Sequence, residues 1–218
     1  MNQAVKVPAG GVLNLGMAKT GCRTYLAAAG GFEVPKVMGS YSTNLKCGIG
    51  GYKGRALQMG DELPIGETLH TWNEVKDRKV SVPDYSKEVL VSVVPGPQEE
   101  YFTEAGIHHF YSESYEVTES CDRMGYRLEG PEVESKNGTD IVSDGIVFGS
   151  IQIPSNGKPI ILMADHQTTG GYAKIGTVVQ ADLSKVAQCK PGDRIRFRKV
   201  SVEEAQEISR KERKKECF

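Results

Sequence analysis

The sequence lacks an excess of charge of either sign. Lys and Arg number 27 against 28 for Asp and Glu, so there is no overall basic field to hold a polyanion and no nucleic-acid partner is expected. Long hydrophobic runs are also missing: none approaches the length that crosses a bilayer, and the first residues, MNQAVKVPAGG, lack the apolar core of a signal peptide. We therefore expect a cytoplasmic protein with no membrane partner.

Cysteine and histidine are too few and too scattered for a disulfide framework or a structural metal site. Of the four histidines, His108 and His109 are adjacent and cannot both face one metal ion. No C-x-x-C pair occurs, and an odd number of cysteines fits a reducing compartment. We predict no metal, and no nucleophilic role for Cys121, although Asp122 and Arg123 follow it. The cysteines are Cys22, Cys47, Cys121, Cys189 and Cys217.

Glycine is abundant and concentrated in the first part of the chain. Short apolar runs such as VLNLG and TYLAAAG alternate with glycines, a pattern typical of short strands joined by tight turns, so residues 1 to about 70 are predicted to be β-rich. The segment KCGIGGYKGR has basic residues beside its glycines, as a phosphate-binding loop does. The spacing of these glycines matches neither the dinucleotide-binding pattern nor the Walker pattern, which favours a glycine-rich turn. A nest of backbone N–H groups that binds an anion stays open as an alternative.

The second part of the chain alternates strand patterns with three helices. VLVSVV, YEVTE, YRLEG and RIRFRKV are predicted strands. A helix is predicted near the start of QEEYFTEAGIHHFYSES, and DLSKVAQ is predicted to be a short helix capped by Asp182. The last segment places Ser201 and Glu204 at the spacing of a capping box, which predicts a polar terminal helix.

The run from Asp140 to Asp182 combines a predicted hairpin with a polar cluster. IVFGSIQI and PIILMA are strand-like, and Asn156-Gly157 between them supplies the positive φ angles of a tight turn. The second strand would deliver a polar set to its end, which is either a ligand site or only a loop leaving the strand. That set is Asp165, His166, Gln167, Thr168 and Thr169, followed by Gly170 and Gly171.

Two arginines form the other candidate binding feature. Arg123 and Arg127 are four residues apart in CDRMGYRLEGPE, and an extended segment would point both toward one face, where two guanidinium groups can clamp a carboxylate or phosphate. The alternative is a structural network with neighbouring carboxylates. Asp144, Asp165 and the Gln152 amide are the residues that could complete such a polar pocket.

Five long motifs follow one another along the chain: GCRTYLAAAGGFEVPKVMGSYST, GGYKGRALQMGDELPIG, DRMGYRLEGP, SDGIVFGSIQIPSNGKPIILMADHQTTGGYAKIGTVVQADL and AQCKPGDRIRF. Together they resemble the allophanate hydrolase subunit 2 family. That family includes the C subunit of the bacterial ATP-dependent 5-oxoprolinase, an antagonist of a sporulation kinase inhibitor, and half of the carboxyltransferase domain of urea carboxylase. Two features depart from the family pattern: members usually have a further N-terminal stretch with a T-V-Q-D-x-G-R-x-G-like motif, and Cys121 stands where Ser or Asn is usual.

The resemblance implies a mainly β fold of cyclophilin-like β-barrels, two in tandem with the first incomplete, plus a C-terminal helix. We expect residues 1–75 to be the remainder of the first barrel, 76–87 a linker, and 88–218 the second barrel with the helix.

The resemblance also implies a function. The chain would be one subunit of a multi-subunit hydrolase and inactive alone. Together with a B-type protein (allophanate hydrolase subunit 1) and an A-type protein, it would open 5-oxo-L-proline to L-glutamate. ATP would be used by the complex, and no cofactor would be bound covalently in this chain. The alternatives are half of a biotin-dependent carboxyltransferase, with biotin on another chain because no A-M-K-M motif occurs here, or a non-catalytic antagonist of a kinase inhibitor. The substrate-binding candidates are Arg123, Arg127, Gln152, Asp165, Gln167, Thr168, Gly170 and Gly171.

Overall fold

The computed structural model describes residues 2–80 and 85–216, with the side chains of 215 and 216 left aside. The chain divides into two compact units: Met1–Gly16 with Thr24–Pro83, and Met17–Arg23 with Asp84–Phe218. Within the expected linker 76–87, residues 81–84 lie outside the described residues. The predicted domain boundaries stay a prediction.

The first unit has little regular structure, and the prediction that it is β-rich is wrong for its described residues. Its elements are the paired strands β1 (Thr43–Asn44) and β2 (Ile49–Gly50) and the four-residue helix α1 (Trp72–Val75). Gly51 alone is buried among residues 2–80. Strands need a packed face to persist, and this unit supplies no apolar core against which longer strands could pack.

The second unit holds the remaining strands and helices, and seven of its strands close into a barrel. In the barrel the order is β10-β3-β11-β4-β5-β8-β7, β7 returns to β10, and β3 and β11 are the parallel pair. The strands are β3 (Glu88–Pro95), β4 (Ser114–Cys121), β5 (Gly125–Glu129), β6 (Asp140–Gly145), β7 (Ser150–Gln152), β8 (Ile160–Leu162), β9 (Thr169–Tyr172), β10 (Lys174–Val178) and β11 (Arg194–Lys199). The helices are α2 (Glu104–Ser112), α3 (Leu183–Gln188) and α4 (Val202–Glu216). The expectation of a mainly β, barrel-containing fold is confirmed.

The barrel interior is filled by alternate residues of its strands. Val91, Ile151, Ile161 and Ile195 are fully buried, and burying each such side chain stabilises the fold by about 1.5–3 kcal/mol. Helix α2 packs against β11, where its Phe110 ring stacks on Phe197 with 4.4 Å between centroids. The core therefore belongs to the second unit and makes the barrel wall a rigid support for surface groups.

The helix predictions are confirmed, with one correction at α3. Ser201 and Glu204 form the predicted capping box of α4, since each backbone N–H donates to the other's side chain, at 2.8 and 3.2 Å. Asp182 precedes α3, but its side chain does not cap that helix. It accepts a hydrogen bond from Ser92 N at 2.7 Å and pairs with Lys185 at 2.6 Å. A 3-10 turn already gives Asp182 helical backbone angles, so its carboxylate is free to anchor β3 instead.

The predicted hairpin exists in a shorter form. β7 and β8 are antiparallel with Ile151 opposite Ile161, and Gly157 has the expected positive φ of 69°. The connection spans residues 153–159, so it is wider than a two-residue turn. The β7–β8 ladder does not extend further, because backbone groups beyond it form hydrogen bonds with other segments. Ile153 N donates to Ala173 O, and Gly157 O accepts from Val133 N.

Candidate functional site

A cavity of about 440 Å³ lies on the barrel surface beside β4, β5, β7 and β8, with β9 along one side. Its volume suits a small molecule. Tyr126 and Ile161 point into the core while their chain neighbours line the cavity, because successive side chains on a strand alternate in direction. The lining residues are Glu119, Ser120, Cys121, Asp122, Met124, Gly125, Arg127, Gln152, Ile160, Leu162, Gln167 and Tyr172.

One row of cross-strand partners carries the polar groups of this surface. Arg127 of β5 is paired with Ile160 of β8, Ile160 with Gln152 of β7, and Gln152 with Lys174 of β10. Paired residues on neighbouring strands point to the same side of a sheet. Three strand spacings separate the ends of the row, roughly 14 Å. The row thus runs from one cation through an amide to a second cation.

The two arginines predicted to act together are separated by the structure. Arg127 lies in β5, whereas Arg123 lies in the turn between β4 and β5, where the Asp122 carboxylate accepts from Met124 N and Gly125 N at 2.8 and 3.1 Å. The segment is therefore not continuously extended, and the condition for a shared face is not met. Arg123 pairs with Asp165, through Nε to Oδ2 at 2.8 Å and Nη2 to Oδ1 at 2.9 Å.

Arg127 has an open guanidinium. Within residues 2–80 and 85–216, its side chain has no hydrogen-bond or ion-pair partner, and it lines the cavity with Gln152 and Gln167. Its backbone is fixed in the barrel, where its carbonyl accepts from the Thr118 hydroxyl at 3.0 Å. A guanidinium held on a rigid strand and free of a protein carboxylate is suited to bind an anionic ligand group.

The strands β6 and β9 pair only with each other among the described residues and form a two-stranded arm, residues 140–145 with 169–172. This β6–β9 arm lies over the Gln152 end of the row. Gln152 is 2% exposed, and its Nε2 donates to Tyr172 O at 3.4 Å. A Cβ on Gly170 would lie 2.7 Å from Gln152 Nε2 and 2.6 Å from Ile146 Cδ1. Glycine at 170 therefore lets the arm approach the Gln152 amide.

The other predicted residues lie near the cavity without lining it. Thr168 is exposed, and its carbonyl accepts from Ile146 N at 2.9 Å. A Cβ on Gly171 would be in ordinary contact, 3.4 Å from Ile141 O. Arg123 and Asp165 join the β4–β5 turn to the segment after β8. Of the predicted set, the cavity brings together Arg127, Gln152 and Gln167. That any of the eight binds a ligand stays a prediction.

Sequence reasoning missed Lys174 and the apolar floor of the cavity. Lys174 is 4% exposed, its Nζ lies 2.7 Å from Asp144 Oδ2, and its backbone N donates to Gln98 Oε1 at 3.1 Å. A lysine inside the mostly apolar run AKIGTVV was the available signal. The floor residues Ile160 and Leu162 could be read only as strand core, because the strand register decides which of them faces the cavity.

The titratable groups around the site favour binding over covalent chemistry by cysteine. Burial raises the pKa of the Cys121 thiol, so at neutral pH it stays protonated and is a weak nucleophile. The hydrogen bond from Lys174, with a second from Gly145 N, holds the pKa of Asp144 below its usual range. No three metal-ligating side chains gather in the described part of the chain, and no helix there is both long and apolar enough to span a membrane.

The comparisons with known proteins agree with the motifs. The family Carboxyltransferase domain, subdomain A and B, matches residues 1–199. The 5-oxoprolinase C subunit of Haemophilus influenzae is 38% identical over 94% of this chain and 65% of its own length, and that of Escherichia coli is 40% identical over 90% and 62%. This chain thus spans somewhat less than two thirds of those relatives. The crystal structure of the K. lactis urea amidolyase superposes with a TM-score of 0.80 and 28% identity, over 90% of this chain and 13% of that one. The chain belongs to the carboxyltransferase domain family with subdomains A and B.

Proposed function

We propose that this chain is the C subunit of an ATP-dependent 5-oxoprolinase, a cytoplasmic hetero-oligomer in which its partners are a B-type protein and an A-type protein. Two relatives with that name, at 38% and 40% identity, support the assignment. The single structural observation that carries it is the open Arg127 guanidinium in a small cavity that also presents the amides of Gln152 and Gln167.

The chemistry of 5-oxo-L-proline matches these groups one by one. Its carboxylate would pair with Arg127, and its lactam N–H and carbonyl would meet the amides of Gln152 and Gln167. Its ring methylenes would lie on Ile160 and Leu162. A ligand with one anion, one amide and an apolar ring thus has a matching group in the arginine, the two glutamines and the two aliphatic residues of the lining.

ATP would supply the driving force because a lactam is a poor electrophile. Transfer of the γ-phosphoryl group to the lactam oxygen, with release of ADP, activates the carbonyl carbon, so that water adds to it and the C–N bond breaks with protonation of the nitrogen to give γ-glutamyl phosphate. A second water molecule then hydrolyses this acyl phosphate to L-glutamate and inorganic phosphate. Among the groups that line the cavity, the arginine and the two amides could hold the anionic substrate in place for this sequence. The phosphoryl transfer itself is assigned to the complex as a whole.

The experiment is to co-express this chain with the A-type and B-type proteins and measure ATP-dependent release of glutamate from 5-oxo-L-proline. We expect release from the complete complex and none when this chain, or ATP, is omitted. Release that is unchanged without this chain would reject the assignment.

A second candidate is half of a biotin-dependent carboxyltransferase. The observation that favours it is the family match over residues 1–199 together with the TM-score of 0.80 to the urea amidolyase. Biotin would then be presented by another chain. This function would be selected if the complex transferred the carboxyl group of carboxybiotin to urea and did not turn over 5-oxo-L-proline. The antagonist of a kinase inhibitor would show neither activity.

A further inference from the structure

The β6–β9 arm supplies one wall of the cavity, yet it is not part of the barrel's hydrogen-bonded sheet. In the described structure its two strands pair only with each other. It contributes Tyr172, and the segment leading into it contributes Gln167. The position of this wall therefore depends on the chain segments that flank the arm and on the side chains that join the arm to the barrel.

One of these side-chain contacts is an ion pair. Lys174 belongs to barrel strand β10 and Asp144 to arm strand β6, and their Nζ and Oδ2 atoms are 2.7 Å apart. The lysine side chain is 5% exposed and the aspartate 53%. Burial of an ammonium group is unfavourable unless a partner compensates for the lost water. Lys174 thus has a physical reason to hold Asp144, and the arm with it, against the barrel.

The ion pair lies beside the polar contact that faces the ligand cavity. On the barrel, Lys174 is the cross-strand partner of Gln152; on the arm, Asp144 is the cross-strand partner of Gly170. The barrel and the arm therefore touch at two neighbouring contacts. Lys174 contacts Asp144, and the Gln152 amide lies against Gly170. A shift of the arm that opened the first contact would also displace the second, and with it Tyr172.

We infer that Lys174 is a positioning residue: through Asp144 it holds the β6–β9 arm so that Gln152, Gln167 and Tyr172 keep the arrangement that binds the substrate. As far as the substrate is 5-oxo-L-proline, this inference rests on the proposed function. Lys174 does not line the cavity, and its effect is exerted through the arm.

The first measurement is hydrogen exchange followed by mass spectrometry on the full chain, in which Lys174→Met and Asp144→Asn each remove the ion pair. Exchange should quicken at the amides of Ile146 and Ala173, which directly follow β6 and β9 and donate to Thr168 O and Thr139 O, while the barrel strands keep their protection. Lys174→Arg should restore the wild-type pattern. The matched control is Lys199→Met, which removes the pair to Glu99 at 2.8 Å on β11, away from the cavity. Unchanged exchange in the arm of both pair-breaking variants would overturn the inference.

The second measurement is the kinetics of the assembled complex with 5-oxo-L-proline. Both pair-breaking variants should raise KM on the order of tenfold with kcat much less affected, and Lys174→Arg should recover most of the loss. A faster-exchanging arm with an unchanged KM would overturn the positioning role. If the wild-type complex releases no glutamate, the proposed function fails, and the exchange result alone then decides for or against Lys174.

Discussion

Arg123 and Asp165 form a bidentate ion pair, Nε to Oδ2 at 2.8 Å and Nη2 to Oδ1 at 2.9 Å, that joins the β4–β5 turn to the segment after β8. Asp165 N also donates to Arg123 O at 2.7 Å. The sequence predicts that both side chains bind substrate. That stays a prediction. In the structure their carboxylate and guanidinium bond each other and so stabilise one edge of the site, whereas the side chain of Arg127 has no such partner among the described residues.

The first prediction concerns the pH dependence of this pair. The hydrogen bond from Arg123 lowers the pKa of Asp165. A carboxylate whose folded pKa is depressed contributes stability above its unfolded pKa, near 4, and that contribution is lost as pH falls through the folded value. The side chains are 63% and 42% exposed, so solvent screening limits the contribution to about 1 kcal/mol or less.

The measurement is urea unfolding of wild type and Asp165→Asn at pH 7 and at pH 3. The difference in free energy of unfolding should be small at pH 7 and should shrink further at pH 3, which lies below the pKa of the aspartate in the unfolded chain. A difference that grows as pH falls would contradict this origin of the pKa shift.

The second prediction compares two adjacent glycines of the arm. Gly170→Ala places a methyl group 2.6–2.7 Å from Ile146 Cδ1 and Gln152 Nε2, so the ends of these two side chains must shift, at a cost of about 1 kcal/mol, the low end of the range for overpacking. It should also displace the arm and weaken ligand binding. Gly171→Ala meets only an ordinary 3.4 Å contact and is the matched control. Thermal unfolding of the two variants and the wild type checks this prediction. Equal losses of stability in the two variants would contradict a close approach of the arm to Gln152 at Gly170.

The third prediction is an order of cysteine reactivity. Cys22 and Cys47 are exposed, Cys121 is half-buried, and Cys189 is buried, with burial raising the pKa of its thiol to about 12. Because the thiolate is the reacting form, iodoacetamide at pH 8 should label Cys22 and Cys47 first, Cys121 slowly, and Cys189 only after unfolding. Peptide mass spectrometry reads the order directly, and early labelling of Cys189 would place it outside the core.

The fourth prediction tests the domain division. The barrel of the second unit has a continuous core, whereas the described part of the first unit buries only Gly51. Segments with few buried apolar contacts open at low free-energy cost and are cleaved first. Brief digestion of the full chain should therefore cut within residues 24–80 before it cuts within 88–200. Initial cuts in the barrel strands would contradict the predicted boundaries.

Contacts between residues close together in the sequence could be predicted. Contacts that depend on how the strands are paired and aligned could not. The Ser201 and Glu204 capping box involves residues three apart, so its pattern was visible in the sequence. Lys174 and Asp144 are thirty residues apart, and they meet only because β6 folds back over β10. At Asp182 a local and a long-range interaction compete. The local sequence predicts that its side chain caps α3, but its carboxylate instead accepts a hydrogen bond from Ser92 N, ninety residues away.

The most direct test of the proposed function is the kinetic effect of Arg127→Ala in the assembled complex. Loss of a charge-assisted contact to the substrate carboxylate should lower kcat/KM for 5-oxo-L-proline on the order of 10- to 100-fold while the complex stays assembled. The control is Arg196→Ala, an exposed arginine of β11 that does not line the cavity, and it should leave kcat/KM near wild type. An Arg127→Ala complex that is intact and releases glutamate with the wild-type kcat/KM would contradict the assignment of this cavity as the substrate site.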